Sequence, residues 1–362
     1  VDLEGHDDAS VEARFSSEGV VVVVPPEQPP GQPSGPVRIG DVALAAGVSV
    51  ATVSKALNGR ADVSASTRAR VLEIAARLQF RPNAFAGSLR TGRSFSVGLL
   101  TTDSFGRFSI PVMLGAEDAL GLGEVAIIFC DTRDDPQREA RQVEALLHRQ
   151  VDGIIVNGRR AEARLPLVDS RGVPVVYAFS PSLDPADCSV IADEPNGTAL
   201  AVGHLLAADR TRIAHITGPR RHRSAAVRAR ATTANLRMAG LRVAGGARFG
   251  TWTEEWGRRS ITDLLCEHQD LDGVFCGSDQ IARGVIDGLR EAGRSVPKDV
   301  AVVGFDNWEV MATATRPPLT TVDMNINVIG RLAAQLLLGA IDRSPTSGTT
   351  VVPARLVVRE SA

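Results

Sequence analysis

The sequence predicts two fold types in series: a small all-α helix-turn-helix segment, then an α/β core made of two doubly wound subdomains. Three observations carry that prediction. Residues 39–58 read as two short helices around a glycine turn, the pattern of a helix pair that presents one face outward. Positive charge is gathered there: residues 37–94 hold nine Lys/Arg against three Asp/Glu, in a chain of formal net charge −2. From Val97 onward, short apolar runs alternate with helical segments, as parallel sheets require. With 362 residues and 44% hydrophobic content, the chain can bury two or three cores.

Residues 1–36 come first, with seven acids, one base and a cluster of prolines at 25, 26, 29, 30 and 33. Such a composition buries too little apolar surface to order itself, so a disordered tail is expected. The aliphatic run 20–24 is too short to span a bilayer, and acidic residues precede it, which argues against a signal peptide. No membrane association is expected, and the cytoplasm is the expected location.

The helix-turn-helix segment spans residues 37–82. Val42, Leu44, Ala45 and Ala46 give the first helix an apolar side, Gly47 ends it, and Ser49 caps the second. Val53 and Leu57 then face the first helix. Val50, Ala51, Ser54, Lys55 and Asn58 are left outward: small side chains, then hydroxyl, ammonium and amide. That is the chemistry of a helix laid in a major groove. Ser64 starts a third helix whose Val71, Ile74, Ala75 and Leu78 close a small core.

Arg81-Pro82-Asn83-Ala84 follows, and Pro82 keeps Arg81 out of the helical region. A helix over residues 84–90 would be under two turns long and holds Gly87, so it is not stable alone.

The run Ile39, Asp41-Val42-Ala43, Ala46-Gly47-Val48-Ser49, Thr52-Val53-Ser54, Asn58, Val63-Ser64, Thr67-Arg68 and Arg81-Pro82-Asn83-Ala84 resembles the DNA-binding headpiece of LacI-type bacterial regulators. The resemblance implies that Val50, Ala51, Thr52, Ser54, Lys55 and Asn58 meet double-stranded DNA. It also implies that residues 83–93 form a hinge that orders on DNA, with Asn83, Ala86, Leu89 and Arg90 at the minor groove and Leu89 as the wedge.

Residues 94–362 form the core. Strands are expected at 97–100, 125–129, 154–156, 175–177, 190–191, 213–216, 274–275 and 300–303. Segments such as Val151-Asp152-Gly153-Ile154-Ile155, Ile213-Ala214-His215-Ile216-Thr217-Gly218-Pro219 and Val302-Val303-Gly304-Phe305-Asp306 are similar to the family's periplasmic-binding-protein-like effector core.

Open α/β sheets bind ligands beyond the carboxyl ends of their strands. Asp103, Asn157, Phe179, Ser278 and Asp306 stand there. Arg228 lies at a helix start and Trp252 in a loop, with Phe105 and Phe108 after the first strand. Carboxylate, amide, guanidinium and aromatic faces together suit a sugar. The resemblance implies effector contact by Asn157, Arg228, Trp252, Ser278 and Asp306; Asp103, Phe108 and Phe179 complete the expected set. Phe179 and Ser278 depart from the family's acidic residue and Asn, so a purine or nucleoside effector is the alternative. Asp279 is expected to serve a helix start, His204 and His215 the core, and residues 220–223 a solvated loop.

No metal or cofactor is expected, because Cys130, Cys188, Cys266 and Cys276 lie far apart and read as buried thiols. A sugar-transport receptor would share the core but has no use for residues 37–93. An enzyme fits least: residues 121–126 match a dinucleotide fingerprint only formally, leading into a strand instead of following one. The expectation is a regulator, most simply a repressor. It would be a homodimer on a palindromic operator, since the last residues hold no leucine-heptad helix for a tetramer.

Overall fold

The computed structural model describes residues 13–15, 21–23, 37–80, 93–121 and 125–362. The chain divides into two compact units, residues 1–86 and 87–362. The expected hinge residues Asn83, Ala86, Leu89 and Arg90 lie outside the described residues.

In the first unit, β1 (Ala13–Phe15) pairs antiparallel with β2 (Val21–Val23). These six residues are the described part of 1–36, and the β-branched Val21–Val23 favours a strand.

Three helices follow: α1 (Ile39–Ala46), α2 (Val50–Leu57) and α3 (Ala65–Arg77). Gly47 stands at φ 62°, in the left-handed region where a side chain is disfavoured, and turns the chain from α1 into α2. Ser49 Oγ accepts the Thr52 amide at 3.1 Å, and Ser64 Oγ accepts the Thr67 amide at 3.2 Å. Val42, Ala43, Ala46, Val53, Ala56, Val71, Ile74 and Ala75 form the core. Leu44 does not join it, being 86% exposed, and Ala45 is exposed as well. At about 100° per residue Leu44 lies roughly 200° from Val42, on the far side of the helix.

The second unit holds two six-stranded sheets. The first contains β3 (Ser96–Thr101), β4 (Ala126–Asp131), β5 (Gly153–Asn157), β6 (Val175–Ala178), β7 (Cys188–Ala192) and β13 (Gly348–Val352). Its order is β13-β7-β6-β5-β3-β4, parallel throughout. The second contains β8 (Ile213–Thr217), β9 (Ala247–Phe249), β10 (Gly273–Cys276), β11 (Ala301–Phe305), β12 (Thr320–Asp323) and β14 (Arg355–Val357). Its order is β14-β12-β11-β10-β8-β9, and β14 runs antiparallel to β12, so this sheet is not wholly parallel as expected.

The helices α4 (Ser109–Leu120), α5 (Pro136–His148), α6 (Glu194–Ala207), α7 (Arg223–Met238), α8 (Glu254–Glu267), α9 (Asp279–Glu291), α10 (Glu309–Ala312) and α11 (Ile326–Ile341) complete the unit. Strands β5, β8, β10 and β11 are buried along their whole length, which is why they read as largely apolar runs. Register sets the site. Thr101 lies opposite Asn157, and Asn157 opposite Ala178, so the loops carrying Asp103 and Phe179 leave the first sheet at one level, on either side of β5.

Cys130, Cys188 and Cys276 are buried, but Cys266 is exposed on α8, contrary to expectation. No single helix among the described residues is long and apolar enough to cross a membrane.

Candidate functional site

In the helix-turn-helix unit, Val50, Ala51, Ser54, Lys55 and Asn58 are exposed together on one face of α2, as the spacing requires. Thr52 is half-buried, and its hydroxyl meets Ser49 Oγ at 2.9 Å, so part of its polarity goes into the cap. Lys55 Nζ donates to Asp62 Oδ2 at 2.6 Å, and Asn58 Nδ2 to the Ser54 carbonyl at 2.7 Å. Both partners of the Lys55–Asp62 pair are half exposed, so water screens the pair strongly and it holds Lys55 only weakly.

In the second unit, a cavity of about 520 Å³ opens where strand ends of both sheets converge. Seven of the eight expected residues line it: Asp103, Phe108, Phe179, Arg228, Trp252, Ser278 and Asp306. Asn157 does not. It is fully buried at the end of β5, where Nδ2 reaches Thr101 Oγ1 at 3.3 Å and Oδ1 has no partner.

Several lining groups arrive already engaged. Asp103 Oδ2 accepts the amides of Phe108 at 2.6 Å and Ser109 at 2.9 Å, so it holds the N-terminus of α4. Ser278 caps α9, accepting the Ile281 amide at 3.2 Å. Phe108 and Phe179 stack with ring centroids 4.7 Å apart.

Arg228 sits in the second turn of α7, not at its start, because the helix begins at Arg223. Its guanidinium is 3.7 Å from the Phe305 ring centroid, and its Nε and Nη2 donate to Glu194 Oε1 at 3.1 and 2.7 Å. Its Nη1 lies 3.6 Å from Asp306 Oδ1. Glu194 is 2% exposed at the first turn of α6 and also takes Arg223 Nη1 at 3.2 Å.

Arg107 closes the opposite side. It pairs with Asp306 and lies 5.2 Å from the Phe108 ring centroid and 5.1 Å from that of Trp308. Trp252 Nε1 donates to His222 Nδ1 at 2.8 Å, which makes the expected solvated loop 220–223 part of the wall. Burial lowers the His222 pKa, in keeping with a ring nitrogen that must stay an acceptor. A Cβ on Gly218 would run into the Trp252 ring, so this glycine leaves room for the indole.

Beneath the cavity, Asp279 is fully buried and accepts the Trp308 amide at 2.7 Å while pairing with Thr321 Oγ1. Burial, then the charge of Asp306, pushes its pKa up to about 8. Burial also raises Asp306, against the pull of Arg107 and Arg228. A proton shared by these carboxyls belongs to Asp279, because Asp306 has two guanidiniums beside it. His215 is buried and unpaired at Nε2, with Nδ1 on the Phe275 carbonyl at 2.9 Å; burial lowers its pKa to about 4. Asp279 stands at the first position of α9, but its carboxylate holds the Trp308 amide and Thr321, while Ser278 caps the helix.

Sequence reasoning missed Arg107, Glu194, His222 and Trp308. The signal for Glu194 was its place in Asp193-Glu194-Pro195, a helix start directly after a strand. Among the described residues no cluster of His, Cys, Asp and Glu could hold a metal.

Comparison with known proteins agrees with this architecture. Residues 38–83 match the model for bacterial regulatory proteins of the lacI family, and residues 202–362 match a periplasmic binding protein-like domain. The chain is 32% identical over 332 residues to Catabolite control protein A of Priestia megaterium, covering 90% of this chain and 99% of that protein. It is also 32% identical over 310 residues to the ribose operon repressor of Escherichia coli (strain K12), covering 83% and 92%. Among solved structures, the lac repressor dimer bound to operator and the anti-inducer ONPF superposes with a TM-score of 0.73 at 27% identity, covering 90% of this chain and 99% of that one.

Proposed function

Because the chain belongs to the lacI family of bacterial regulatory proteins, DNA-binding regulators controlled by small-molecule effectors and not enzymes, we propose that it is a repressor whose effector is a sugar. The observation that carries this reading is the cavity: guanidinium, carboxylate and hydroxyl groups between the faces of Phe108, Phe179, Trp252 and Trp308, in a volume of about 520 Å³. Aromatic faces take the C–H surface of a sugar ring, and paired charged groups take adjacent hydroxyls. The name of the ribose operon repressor supports the same class.

Asp103, Phe108, Phe179, Arg228, Trp252, Ser278 and Asp306 are the proposed contacts, with Asn157 supporting Thr101 from behind. On the DNA side, Val50, Ala51, Ser54, Lys55 and Asn58 read base edges or meet phosphates, with Thr52 beside them. Asn83, Ala86, Leu89 and Arg90 belong to the proposed hinge by resemblance alone. The protein acts in the cytoplasm as a homodimer on a palindromic operator, since a twofold dimer reads a twofold site. Ile110 and Leu114, four apart on α4 and 48% and 46% exposed, offer apolar surface for such a contact.

Titration calorimetry of the full chain against monosaccharides, disaccharides, purines and nucleosides tests the effector class. Saturable sugar binding that is lost in Trp252→Ala supports it; binding of a purine alone replaces it with the nucleoside reading. Light scattering that gives a monomer or a tetramer would sink the dimer.

A further inference from the structure

From Arg210 to Thr253 the chain carries ten arginines and no acid. Elsewhere in this unit several exposed arginines sit against carboxylates: Arg159 on Asp134, Arg258 on Glu291, Arg331 on Asp118, Arg355 on Asp323. Within the acid-free stretch, Arg212 and Arg248 borrow Asp270 and Glu267 from beyond it. Arg220, Arg230 and Arg237 find no acid among the described residues, and all three line one groove of about 620 Å³.

The fold explains why these three converge. Ala226, Arg230, Thr233 and Arg237 are spaced four, three and four along α7 and share one face. Arg230 and Arg237, seven residues apart, are separated by about 10 Å along the helix axis. The facing wall is the edge strand β9, where Ala247 and Phe249 point into the groove while Arg248, between them, points away to its ion pair. Arg220 lies 4.1 Å from the Phe249 ring centroid, which holds its guanidinium over the groove. Alanines line the floor, leaving open space between the cations.

We propose that this groove between α7 and β9 is a second ligand site, separate from the effector cleft, for a small molecule carrying two or more phosphate groups. Three unneutralised guanidiniums repel one another and focus a positive field in a concave, small-molecule-sized space. Planar forks with parallel N–H donors match phosphate oxygens, and two of them two helical turns apart suit two phosphates on one molecule. A nucleic-acid backbone would demand a longer, flatter track of cations than one groove provides.

Titration calorimetry of the full chain at low salt, with inorganic pyrophosphate and with a hexose bisphosphate, tests this. Saturable binding is expected, weakened at least about tenfold in Arg230→Gln/Arg237→Gln. It should be unchanged in Arg212→Gln, whose arginine lies in the same stretch but is ion-paired, and in the cleft variant Trp252→Ala. The proposal is overturned by absence of saturable binding to either probe, by wild-type affinity in the double variant, or by equal loss in Arg212→Gln or Trp252→Ala. If neither probe binds while the double variant loses nonspecific DNA affinity, the face is a nucleic-acid surface instead.

Discussion

Glu194 is the residue on which the cleft's charge balance turns, and replacing it with Gln isolates that role. Oε1 takes two donors from Arg228 and Oε2 one from Arg223, all around a carboxylate that is 2% exposed. Arg228 is 3% exposed, so without Glu194 its nearest remaining negative charge is Asp306 at 3.6 Å, already shared with Arg107. Removing one partner of a buried pair costs about 3–5 kcal/mol. The amide of Gln retains one acceptor, which places Glu194→Gln at or just below the bottom of that range, about 2–3 kcal/mol. For a unit of this size that is a fall in Tm of roughly 3–6 °C.

The assay is thermal unfolding by circular dichroism of the wild type, Glu194→Gln, Arg228→Met and the double variant. The double variant should be less destabilised than the two single losses combined, because an unpaired buried charge is present only in the singles. Additivity within about 0.5 kcal/mol, or no fall in Tm for Glu194→Gln, refutes the argument that Glu194 neutralises Arg228.

Gly218→Ala should push the Trp252 indole out of place, so effector affinity falls at least about tenfold while indole fluorescence shifts; unchanged affinity would show that Trp252 does not contact the effector. Lys55→Ala should weaken operator binding by about 1–3 kcal/mol if Lys55 reads a base, or lower the salt slope by about one unit if it meets phosphate. No change in either measure means that the recognition face is misassigned. Stability should fall as pH rises from about 6.5 to 8. Asp279, raised to about 8, keeps a proton in the folded state that the unfolded chain has lost, so its contribution fades as pH climbs toward 8. His215, lowered to about 4, works in the opposite sense and opposes this only below about 6.5. Asp279→Asn, measured as Tm against pH, should flatten the fall; a slope identical to wild type would refute it.

Most of the fold was legible because burial leaves a pattern. Strands covered on both faces are mostly apolar, so β5, β8, β10 and β11 stand out in the sequence despite the buried His215 and Asn157. The edge strands do not. β13 is mostly exposed and carries Thr349 and Thr350, and the three residues of β9 are only half-buried, so neither makes an apolar run. Leu44 shows the opposite failure, an apolar residue on the outer face that composition alone assigns to the core. The outward face of α2 was the most legible part, since an eight-residue helix with Val53 and Ala56 buried leaves one outward face.

The cleft was legible as a set of residues and not as a set of bonds, and the difference bears on what an effector must do. Strand ends and resemblance placed seven residues around one cavity, but sequence reasoning treated their polar groups as available. In the folded chain Asp103 and Ser278 already hold helix termini, Arg228 is held by Glu194, and Asp306 is held by Arg107. The partners of Arg228 and Asp306 come from distant segments, which is why no local pattern announced them. An effector therefore gains only the difference between its own hydrogen bonds and the internal ones it displaces. A ligand that meets Asp306 has to leave Arg107 another acceptor. Arg107 Nε is buried without a partner even before a ligand arrives, so selection between related sugars should rest on the group that answers this guanidinium more than on the carboxylates.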